Sequence, residues 1–520
     1  MQKFPSPQEC GLPEKFDKWR TVQEEGLDAM ANSTKRVVAI CAPTGSGKSA
    51  MNVADALQSG EPSCIVTGSR GLQDQYIKEF AEIGMVDIRG RNNYTCDLRD
   101  GMTCEDGYLV RCPHKGTILC PSSQAEMRAA TSSLVVTNYD KWTHSRKFGM
   151  GLAHIKRVYF DEGHEAPEAL ARVMQVILNH KEIEHDLKLD FPTEDTIHMG
   201  TWRDWAGPAR DKALRATQAA QARVAESSNP KTTWVRHFVH MRNLHRKLCI
   251  LAACSVRDWV VEEIEGGYQF DPVRPGRYAE SALLLRVPKI IFTSATMRIK
   301  TLFMAGIGKA DFTFKELESG FDPKRCPIYY IPTMRVDARN PDLRMLWLRL
   351  DQIAAKRQDR KGIVQTVSFQ RQKDVMASSR FFEKMILNEK GEAPTEKIEE
   401  YRAAPPGSIL VSPSVGTGYD FPGSQCEWNF LCKIPFEPPS HILRAREADD
   451  PEYRAYKAMQ KMVQIFGRGM RSAKDRCENM IGDDHMTWFM PRFSHLAPKS
   501  FHGFYRTVTV LPQPPEKLNW

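Results

Sequence analysis

RVVAICAPTGSGKS, residues 36–49, joins an apolar, β-branched run to a glycine-rich turn. The run predicts a buried parallel strand, and the residues after the turn predict a helix over 50–57. Glycines in such a turn let backbone amides close around phosphate oxygens, while Lys48 neutralises their charge and the Ser49 hydroxyl binds Mg²⁺. The order strand, turn, helix therefore predicts a phosphate-binding loop. Its remaining contacts are predicted to be Thr44, Gly45, Ser46 and Gly47.

Short strands of the same kind recur along the chain on the C-terminal side of this loop. They are predicted at 63–67, 133–137, 157–160, 289–293, 362–366 and 408–411. Helical patterns lie between several of them, for example at 71–83. Strands that alternate with helices predict parallel sheets of the doubly wound α/β class.

Two stretches break this alternation. Residues 90–130 are rich in cysteine, glycine and charge and show little periodicity. Residues 165–281 instead predict mostly helix, with long amphipathic segments at 211–226 and 233–256. We interpret both stretches as insertions into the first α/β domain.

RVYFDEGH, residues 157–164, is an apolar strand that ends in two carboxylates. Beside a phosphate loop, one carboxylate at such a strand end can hold Mg²⁺ while the next orients and deprotonates the attacking water. Asp161 is predicted to take the first role and Glu162 the second. Alone, such an ending is more often the start of a solvated loop, but the upstream phosphate loop favours the catalytic interpretation.

QIFGRGMR, residues 464–471, is the third segment that indicates chemistry. If it is helical, Gln464, Arg468 and Arg471 share one face and point together into a cleft between two domains. An arginine in that position can stabilise charge on a transferring phosphoryl group. A basic, solvated helix face is the alternative, and the two preceding motifs make the catalytic interpretation the favoured one.

Together these segments resemble the motifs of the XPD/DinG group of superfamily 2 DNA helicases. The phosphate loop resembles motif I of that group, and DEGH at 161–164 resembles motif II, a DEAH-type box. TSATM at 293–297 resembles motif III, and the segment 464–471 resembles motif VI. Further matching segments occur between these in the same order, so the resemblance covers nearly the whole chain.

Two other segments carry expected nucleotide contacts. Gln23, in the sequence RTVQ at 20–23, resembles an upstream glutamine that would contact the adenine ring. GTGYDFPG at 416–423 resembles motif V, and Gly418 and Asp420 are the residues expected to face the nucleotide. Thr417 stands where many members have a glutamate, which puts the efficiency of coupling in doubt.

The resemblance implies two RecA-like motor domains with phosphate loops, the first interrupted by a cysteine-rich metal-cluster module and a helical arch. It implies ATP and Mg²⁺ as cofactors, and an ATP-dependent helicase that moves 5′ to 3′ on single-stranded DNA and unwinds tailed duplexes. The expected boundaries are 1–90, 131–165 and 282–320 for the first motor, 91–130 for the module, 166–281 for the arch, and 321–520 for the second motor.

Four cysteines lie between the phosphate loop and the acidic box, where the group carries a [4Fe–4S] cluster. They are Cys96, Cys104, Cys112 and Cys120. Thiolates suit either an iron–sulfur cluster or zinc, and the even spacing is unlike short Cys-x-x-Cys pairs, so zinc stays an alternative and His114 a substitute ligand. Arg91 and Tyr94, at the start of this region, are expected nucleic-acid contacts because a strand track needs cations and aromatic rings.

Length and composition limit the class of protein without identifying it. The 520 residues predict two to four domains, and the net charge of +9 fits a polyanionic partner but does not require one. Thirteen cysteines without a visible secretory signal argue against a disulfide framework. No apolar run approaches the roughly 20 residues of a membrane span, so we expect a soluble, cytoplasmic protein without a membrane partner. We also expect it to be a monomer.

Two alternative functions remain open at this stage. A single-strand-stimulated ATPase or translocase would remodel nucleoprotein without efficient unwinding. A metal-stabilised nucleic-acid binding protein with an inactive nucleotide site is less favoured, because Lys48, Asp161, Glu162 and Arg468 are all present.

Overall fold

The structure, a computed structural model, describes most of the chain. The described residues are 4–97, 101–109, 112–148, 151–226, 231–337, 339–388, 391–392, 395–415, 419–472 and 474–517. All thirteen cysteines fall within these ranges and are free thiols. Among the helices of the same ranges, none has the length and apolar character needed to cross a membrane.

The strands in the described ranges are short, and most are buried runs of Val, Ile, Leu and Phe. They are β1 (Val37–Cys41), β2 (Ser63–Thr67), β3 (Val86–Asp87), β4 (Leu134–Asn138), β5 (Arg157–Asp161), β6 (Val176–Asn179), β7 (Trp259–Ile264), β8 (Gly267–Pro272), β9 (Lys289–Ser294), β10 (Phe312–Glu316), β11 (Ile328–Met334), β12 (Gly362–Gln365), β13 (Met385–Leu387), β14 (Ile409–Ser412), β15 (Trp428–Leu431), β16 (Glu478–Asp483) and β17 (Tyr505–Thr507). Branched and aromatic side chains suit a pleated sheet that is covered on both faces.

Helices alternate with these strands through most of the chain. They are α1 (Thr21–Asn32), α2 (Lys48–Ser59), α3 (Arg70–Phe80), α4 (Cys104–Leu109), α5 (Pro121–Thr131), α6 (Tyr139–Phe148), α7 (Ala166–Met174), α8 (His180–Glu182), α9 (Met199–Ala225), α10 (Thr232–Ala252), α11 (Ile299–Met304), α12 (Arg344–Ala355), α13 (Phe369–Ser378), α14 (Thr395–Ala403), α15 (His441–Asp449), α16 (Tyr453–Phe466), α17 (Met486–Phe493) and α18 (Lys499–Phe504). This alternation gives the α/β class that the sequence predicts.

Two seven-stranded sheets, parallel throughout, form the centres of two α/β units. Their strand orders are β10-β1-β9-β5-β2-β4-β3 and β13-β14-β12-β15-β16-β11-β17. In the first sheet, β9 pairs with β1 on one side and with β5 on the other. Because parallel strands end at the same edge of a sheet, the loops that follow β1, β5 and β9 meet there.

The first sheet is held between two hydrophobic clusters. Val37 of β1 packs on one face, in a cluster with Trp142 and Phe160, whereas Val38 packs on the other, in a cluster with Tyr76. Burial of each large apolar side chain stabilises the fold by roughly 1.5–3 kcal/mol, before the loss of conformational entropy is counted. The strand ends therefore provide a firm base for the loops of the site.

The segment between β5 and β9 differs in part from the prediction of mostly helix. Helices α9 and α10 pack against each other, but β6, β8 and β7 form an antiparallel sheet beside them. This unit has its own core around Trp202 and Phe270, both fully buried. The strands were missed because they are only four to six residues long, a length at which apolar runs do not distinguish strand from helix.

The two α/β units repeat one local arrangement. Ser69 caps α3 and Ser368 caps α13, each by accepting a backbone N–H three residues later. The Gln73 amide then donates to the carbonyl after β3 (3.2 Å) and to one in β4 (3.4 Å). Gln372 does the same after β13 (3.1 Å) and in β14 (2.9 Å). Each helix is thereby tied to two neighbouring strands at the edge where the loops of the site lie.

Candidate functional site

The phosphate loop connects β1 to α2 as predicted. Gly45 and Gly47 have φ values of +75° and +84°, in the left-handed region that glycine adopts without strain. Lys48 begins α2, and its Nζ turns back over the loop to within 3.5 Å of the Ala42 carbonyl oxygen. The Ser46 hydroxyl is buried without a hydrogen-bond partner in the described part of the chain. A positive helix start and an unsatisfied donor are what an anion site requires.

Helix α1 closes over this loop at its own N-terminus. Gln23 is buried, and its Oε1 accepts a hydrogen bond from the Arg20 backbone N–H (2.9 Å). The amide nitrogen of Gln23 is so close to Gly47 that a β-carbon there would be 2.3 Å from it. Arg20 Nη1 donates to the Gly45 carbonyl (2.7 Å). The structure therefore brings Gln23 to the loop, while its contact with adenine stays a prediction.

Asp161 is the last residue of β5 and is buried, with 2% exposure. Its carboxylate accepts hydrogen bonds from the Tyr76 hydroxyl (2.9 Å) and from Thr293 Oγ1 (3.2 Å). Burial, and then the charge of Glu162, raise the pKa of Asp161 to about 6. The hydrogen bonds therefore compensate only in part for the free-energy cost of burying the negative charge of Asp161. A buried carboxylate beside a hydroxyl-bearing loop is the oxygen-rich donor set that suits Mg²⁺.

Glu162 follows in a left-handed conformation, with φ of 53°. Burial alone would raise the pKa of Glu162, but a contact with His164 (3.2 Å) and the charges of Lys48 and Arg468 lower it to about 2. Glu162 is thus held as an anion beside the phosphate loop. A non-glycine residue in this region costs about 1–3 kcal/mol, and such strain clusters at functional sites.

His164 connects the acidic box to both α/β units. Its Nδ1 lies 2.8 Å from Ser294 Oγ, and its Nε2 lies 2.6 Å from the amide nitrogen of Gln464 in α16. If Gln464 donates to Nε2, the ring proton sits on Nδ1 and is shared between Ser294 and Glu162. The structure therefore brings the predicted Gln464 into contact with the box through this histidine.

The segment 464–471 is helical only in its first part, which corrects the prediction of one shared helix face. Helix α16 ends at Phe466, and Arg468 and Arg471 lie in the turn that follows. Gly467 follows the last helical residue, and glycine disfavours continuation of a helix. Close contacts leave no room for a larger residue at this position. A β-carbon on Gly467 would be 2.7 Å from Thr44 Oγ1 of the phosphate loop. The two arginines reach the cleft through this turn and not along a helix.

Asp420 holds both arginines in the structure. Arg468 Nη1 donates to Asp420 Oδ1 (3.2 Å) and to the Tyr419 carbonyl (2.8 Å), and Arg471 Nη2 is bonded to the same carboxylate. Burial lowers the pKa of Arg468, although Glu162 and Glu165 act in the opposite direction. The arginines therefore lie next to the acidic box but are paired with Asp420. Gly418, the other predicted residue of this segment, lies outside the described residues.

Three residues that the sequence did not single out complete the site: Asn52, Tyr76 and Gln460. Asn52 donates to Tyr76 (3.3 Å) and to Thr293 (3.0 Å), so it orients two of the partners of Asp161. Gln460 of α16 donates to the Thr296 carbonyl, at 3.5 Å, across the cleft. Asn52 follows Lys48 by one helical turn, and this spacing is the one signal that could have indicated it.

The four predicted cysteines line one cavity, together with His114 and Lys115. Cys104 Sγ and Cys120 Sγ are 3.9 Å apart, and the lack of a side chain at Gly107 leaves room for Cys96 and Cys112. Burial raises the pKa of Cys104 to about 11. In the described ranges, no three potential ligands are arranged so that they would hold a metal ion as they stand. The presence and type of metal therefore stay predictions.

A wide groove runs between the first sheet, the cysteine region and α10. Six basic residues line it: Arg70, Arg91, Lys141, Arg172, Arg242 and Arg246. Burial, and then Lys141, Arg246 and other arginines, lower the pKa of His144, as expected in a strongly positive environment. Arg91 lies in this groove with its guanidinium 4.0 Å from the ring centre of Tyr108. Tyr94 is not among the residues that line the groove, and its hydroxyl accepts a hydrogen bond from the Arg89 backbone N–H (3.0 Å).

Comparison with known proteins supports the same architecture. Residues 354–502 match the family of the helicase C-terminal domain. A solved structure of an XPD helicase aligns with a TM-score of 0.64 and 15% identity, over 95% of this chain and 100% of that one. Xpd4 from S. tokodaii aligns with a TM-score of 0.59 and 11% identity, over 94% of this chain and 100% of that one. No curated protein matches.

These comparisons confirm the predicted fold class and, in fold, the resemblance to the XPD/DinG group. The match of residues 354–502 to the helicase C-terminal domain family agrees with the predicted enzyme class of ATP-dependent helicases. The α/β units built on the two parallel sheets are named the first and second motor from here on, after the function proposed below.

Proposed function

We propose that this chain is an ATP-driven motor that moves along single-stranded DNA as a monomer, 5′ to 3′, and separates tailed duplexes. One observation supports this most directly. The phosphate loop and acidic box of the first motor meet Arg468 and Arg471 of the second motor in one cleft. A site divided between two motors can convert hydrolysis into relative movement, because both halves are needed to stabilise the same phosphates.

The residues of the cleft take separate roles in hydrolysis. The phosphate loop and Lys48 bind the β- and γ-phosphates, and Gln23 contacts the adenine ring. Glu162, held as an anion, orients the attacking water and accepts its proton. Arg468 and Arg471 leave Asp420 and bind the γ-phosphate as charge develops on it. Because Asp420 competes with the phosphates for these arginines, closure of the second motor depends on bound nucleotide.

Mg²⁺ would be held by the Ser49 hydroxyl and the Asp161 carboxylate. The buried and only partly compensated charge of Asp161 fits this assignment. A bound ion would neutralise charge on the phosphate oxygens. Tyr76 and Thr293, which bond to the same carboxylate, would keep it in place.

The basic groove is the proposed path of the strand. A translocating motor must bind phosphates without reading sequence, and arginines on the groove walls provide this contact. Arg91 is one of these contacts, while Tyr94 is proposed only to support the wall. DNA as the substrate and the 5′ to 3′ direction rest on the resemblance to the XPD/DinG group of DNA helicases.

The motor activity is tested by phosphate release from ATP, with and without an unstructured single strand. We expect hydrolysis that the strand stimulates and that Lys48→Ala abolishes. Hydrolysis that is equally fast without a strand, or that survives Lys48→Ala, would contradict the proposal. A protein that binds the strand but releases no phosphate would support the binding-protein alternative.

The groove gives a prediction with a defined salt dependence. Replacing Arg242 and Arg246 together by alanine is expected to weaken single-strand binding and to make log Kd less dependent on log salt by about 1.4, since each lost contact contributes about 0.7. Arg203→Ala, an exposed arginine on α9 outside the groove, is the matched control. Equal salt slopes for the double variant and the wild type would exclude these arginines from the path.

Cys96, Cys104, Cys112 and Cys120 are proposed to hold a [4Fe–4S] cluster, with zinc as the alternative. All four thiols line one cavity, and four soft thiolates are the donor set of such a cluster. A thiolate-held metal would tie four separate points of this loop-rich region together and stabilise it. The module would then form a firm wall of the groove beside Arg91.

Protein purified without oxygen is expected to be brown and to contain about four iron atoms per chain. Cys104→Ser should remove most of the iron, whereas Cys249→Ser, at a thiol on α10 outside this cavity, should not. Colourless protein with one zinc per chain would favour zinc. Metal content that does not change in Cys104→Ser would contradict the assignment of this ligand.

A further inference from the structure

Glu165, one residue after the acidic box, directs its side chain toward the end of β2. A β-carbon placed on Gly68 would be 2.3 Å from Glu165 Oε2 and 2.8 Å from its Cδ. Real β-carbons do not approach other atoms so closely, so the carboxylate fills the space that a side chain at position 68 would need. Gly68 therefore allows a close approach between the acidic box loop and the loop after β2.

Gly68 also forms part of the groove wall. Gly68, Ser69 and Arg70 line the groove in sequence. Ser69 is the N-cap of α3, an eleven-residue helix, and its side chain accepts the Leu72 backbone N–H. Free backbone N–H groups and the helix dipole favour a phosphate at such a position. A strand phosphate bound here would contact the same loop backbone that the Glu165 carboxylate contacts at Gly68.

The other end of Glu165 is tied to the hydrolysis residues. Its backbone N–H donates to the Glu162 carbonyl (2.9 Å), across the short turn Gly163–Glu165. Gly163 is pressed against Phe292 of β9, where a β-carbon would be 2.9 Å from the ring. Because this turn is packed on both sides, it cannot deform freely. A displacement of the Glu165 side chain therefore also displaces Glu162 and His164.

We propose that Glu165 is a positioning residue that couples occupation of the groove by strand phosphates to ATP hydrolysis. The inference rests on the proposed function and adds the contact through which the strand stimulates it. A phosphate at the start of α3 moves Gly68, Glu165 follows, and Glu162 is brought to its position for water activation. The coupling acts through the volume of the side chain that fills the space at Gly68.

The test compares strand-stimulated with unstimulated hydrolysis in the whole chain of 520 residues, using an unstructured oligo-dT strand. Glu165→Ala removes the contact, and Gly68→Ala displaces the carboxylate from the other side. Both are expected to lower the stimulation ratio at least about five-fold, the lower end of typical coupling between sites. Glu165→Gln fills the same space and should keep most of the ratio. Gly200→Ala, at an open position on α9, is the control.

The outcomes separate coupling from a structural role. Parallel loss of both rates with a lower melting temperature in Glu165→Ala would overturn the inference, and so would an unchanged ratio. If Glu165→Gln loses the stimulation ratio as completely as Glu165→Ala does, the coupling does not depend on the volume of the side chain, and that part of the inference is overturned. Wild-type hydrolysis without any strand stimulation would overturn the proposed function and this inference together, whereas failure of the variants alone would overturn only the inference.

Discussion

Replacing Glu162 by glutamine is expected to slow ATP hydrolysis by about 10²–10⁴-fold, the contribution typical of a positioned general base. The amide keeps the size of the side chain and its contact with His164 but no longer accepts a proton from water. Binding of ATP and of a single strand should change little, because Lys48, Asp161 and the groove are intact. Phosphate release and nucleotide binding are measured on the same preparation.

The control for this variant is Glu396→Gln, at an exposed glutamate on α14. It should hydrolyse ATP at the wild-type rate. Rapid hydrolysis by Glu162→Gln would remove Glu162 from the chemistry and leave Asp161 as the only acidic candidate in the box. Loss of ATP binding along with hydrolysis would instead indicate that Glu162 helps to bind the nucleotide.

The second large effect concerns the second motor. Arg468→Ala is expected to lower kcat for ATP by about 10³-fold, since an arginine aimed at the γ-phosphate contributes about 10³–10⁵. Arg468→Lys should recover little, because lysine lacks the planar pair of donors with which arginine binds phosphate oxygens. Steady-state hydrolysis at saturating ATP and strand gives kcat directly.

Arg344→Ala is the matched control, because Arg344 is 82% exposed and lies on α12 of the same motor. If Arg468→Ala retains wild-type kcat, the cleft between the motors is not where hydrolysis is completed. An increase in KM with unchanged kcat would indicate that Arg468 binds ATP equally in the ground state and the transition state.

Much of the first motor could be predicted from local sequence. The predicted strands at 63–67 and 157–160 are observed as Ser63–Thr67 and Arg157–Asp161. Buried parallel strands are continuous apolar runs bounded by turns, so this pattern is strong even in one sequence. Very short strands were missed, such as β3 with two residues and β13 with three.

The turn after Phe466 shows where local reasoning reached its limit. Periodicity places Gln464, Arg468 and Arg471 on one helix face, yet the chain leaves the helix because Gly467 and Gly469 allow close packing. A β-carbon on Gly469 would lie 2.5 Å from Cys477 Cβ. The contact between Gly467 and Thr44 Oγ1 joins residues distant in sequence, so no local pattern predicts it. The pairing of Asp420 with both arginines was missed for the same reason.

The acidic box shows the same limit within one motor. Asp161 and Glu162 were assigned from their place at a strand end, and the structure puts both beside the phosphate loop. Tyr76, which bonds to Asp161, lies 85 residues away in sequence and carries no motif. Its role follows from the neighbouring positions of β2 and β5 in the sheet, which only the tertiary fold provides.

The measurement that tests the central claim most directly is ATP-dependent strand separation on duplexes with a 5′ or a 3′ single-stranded tail. We predict unwinding of the 5′-tailed duplex alone, and its loss in Lys48→Ala. Unwinding of only the 3′-tailed duplex would contradict the direction. No unwinding of either duplex, beside strong strand-stimulated hydrolysis, would contradict the helicase and favour a translocase.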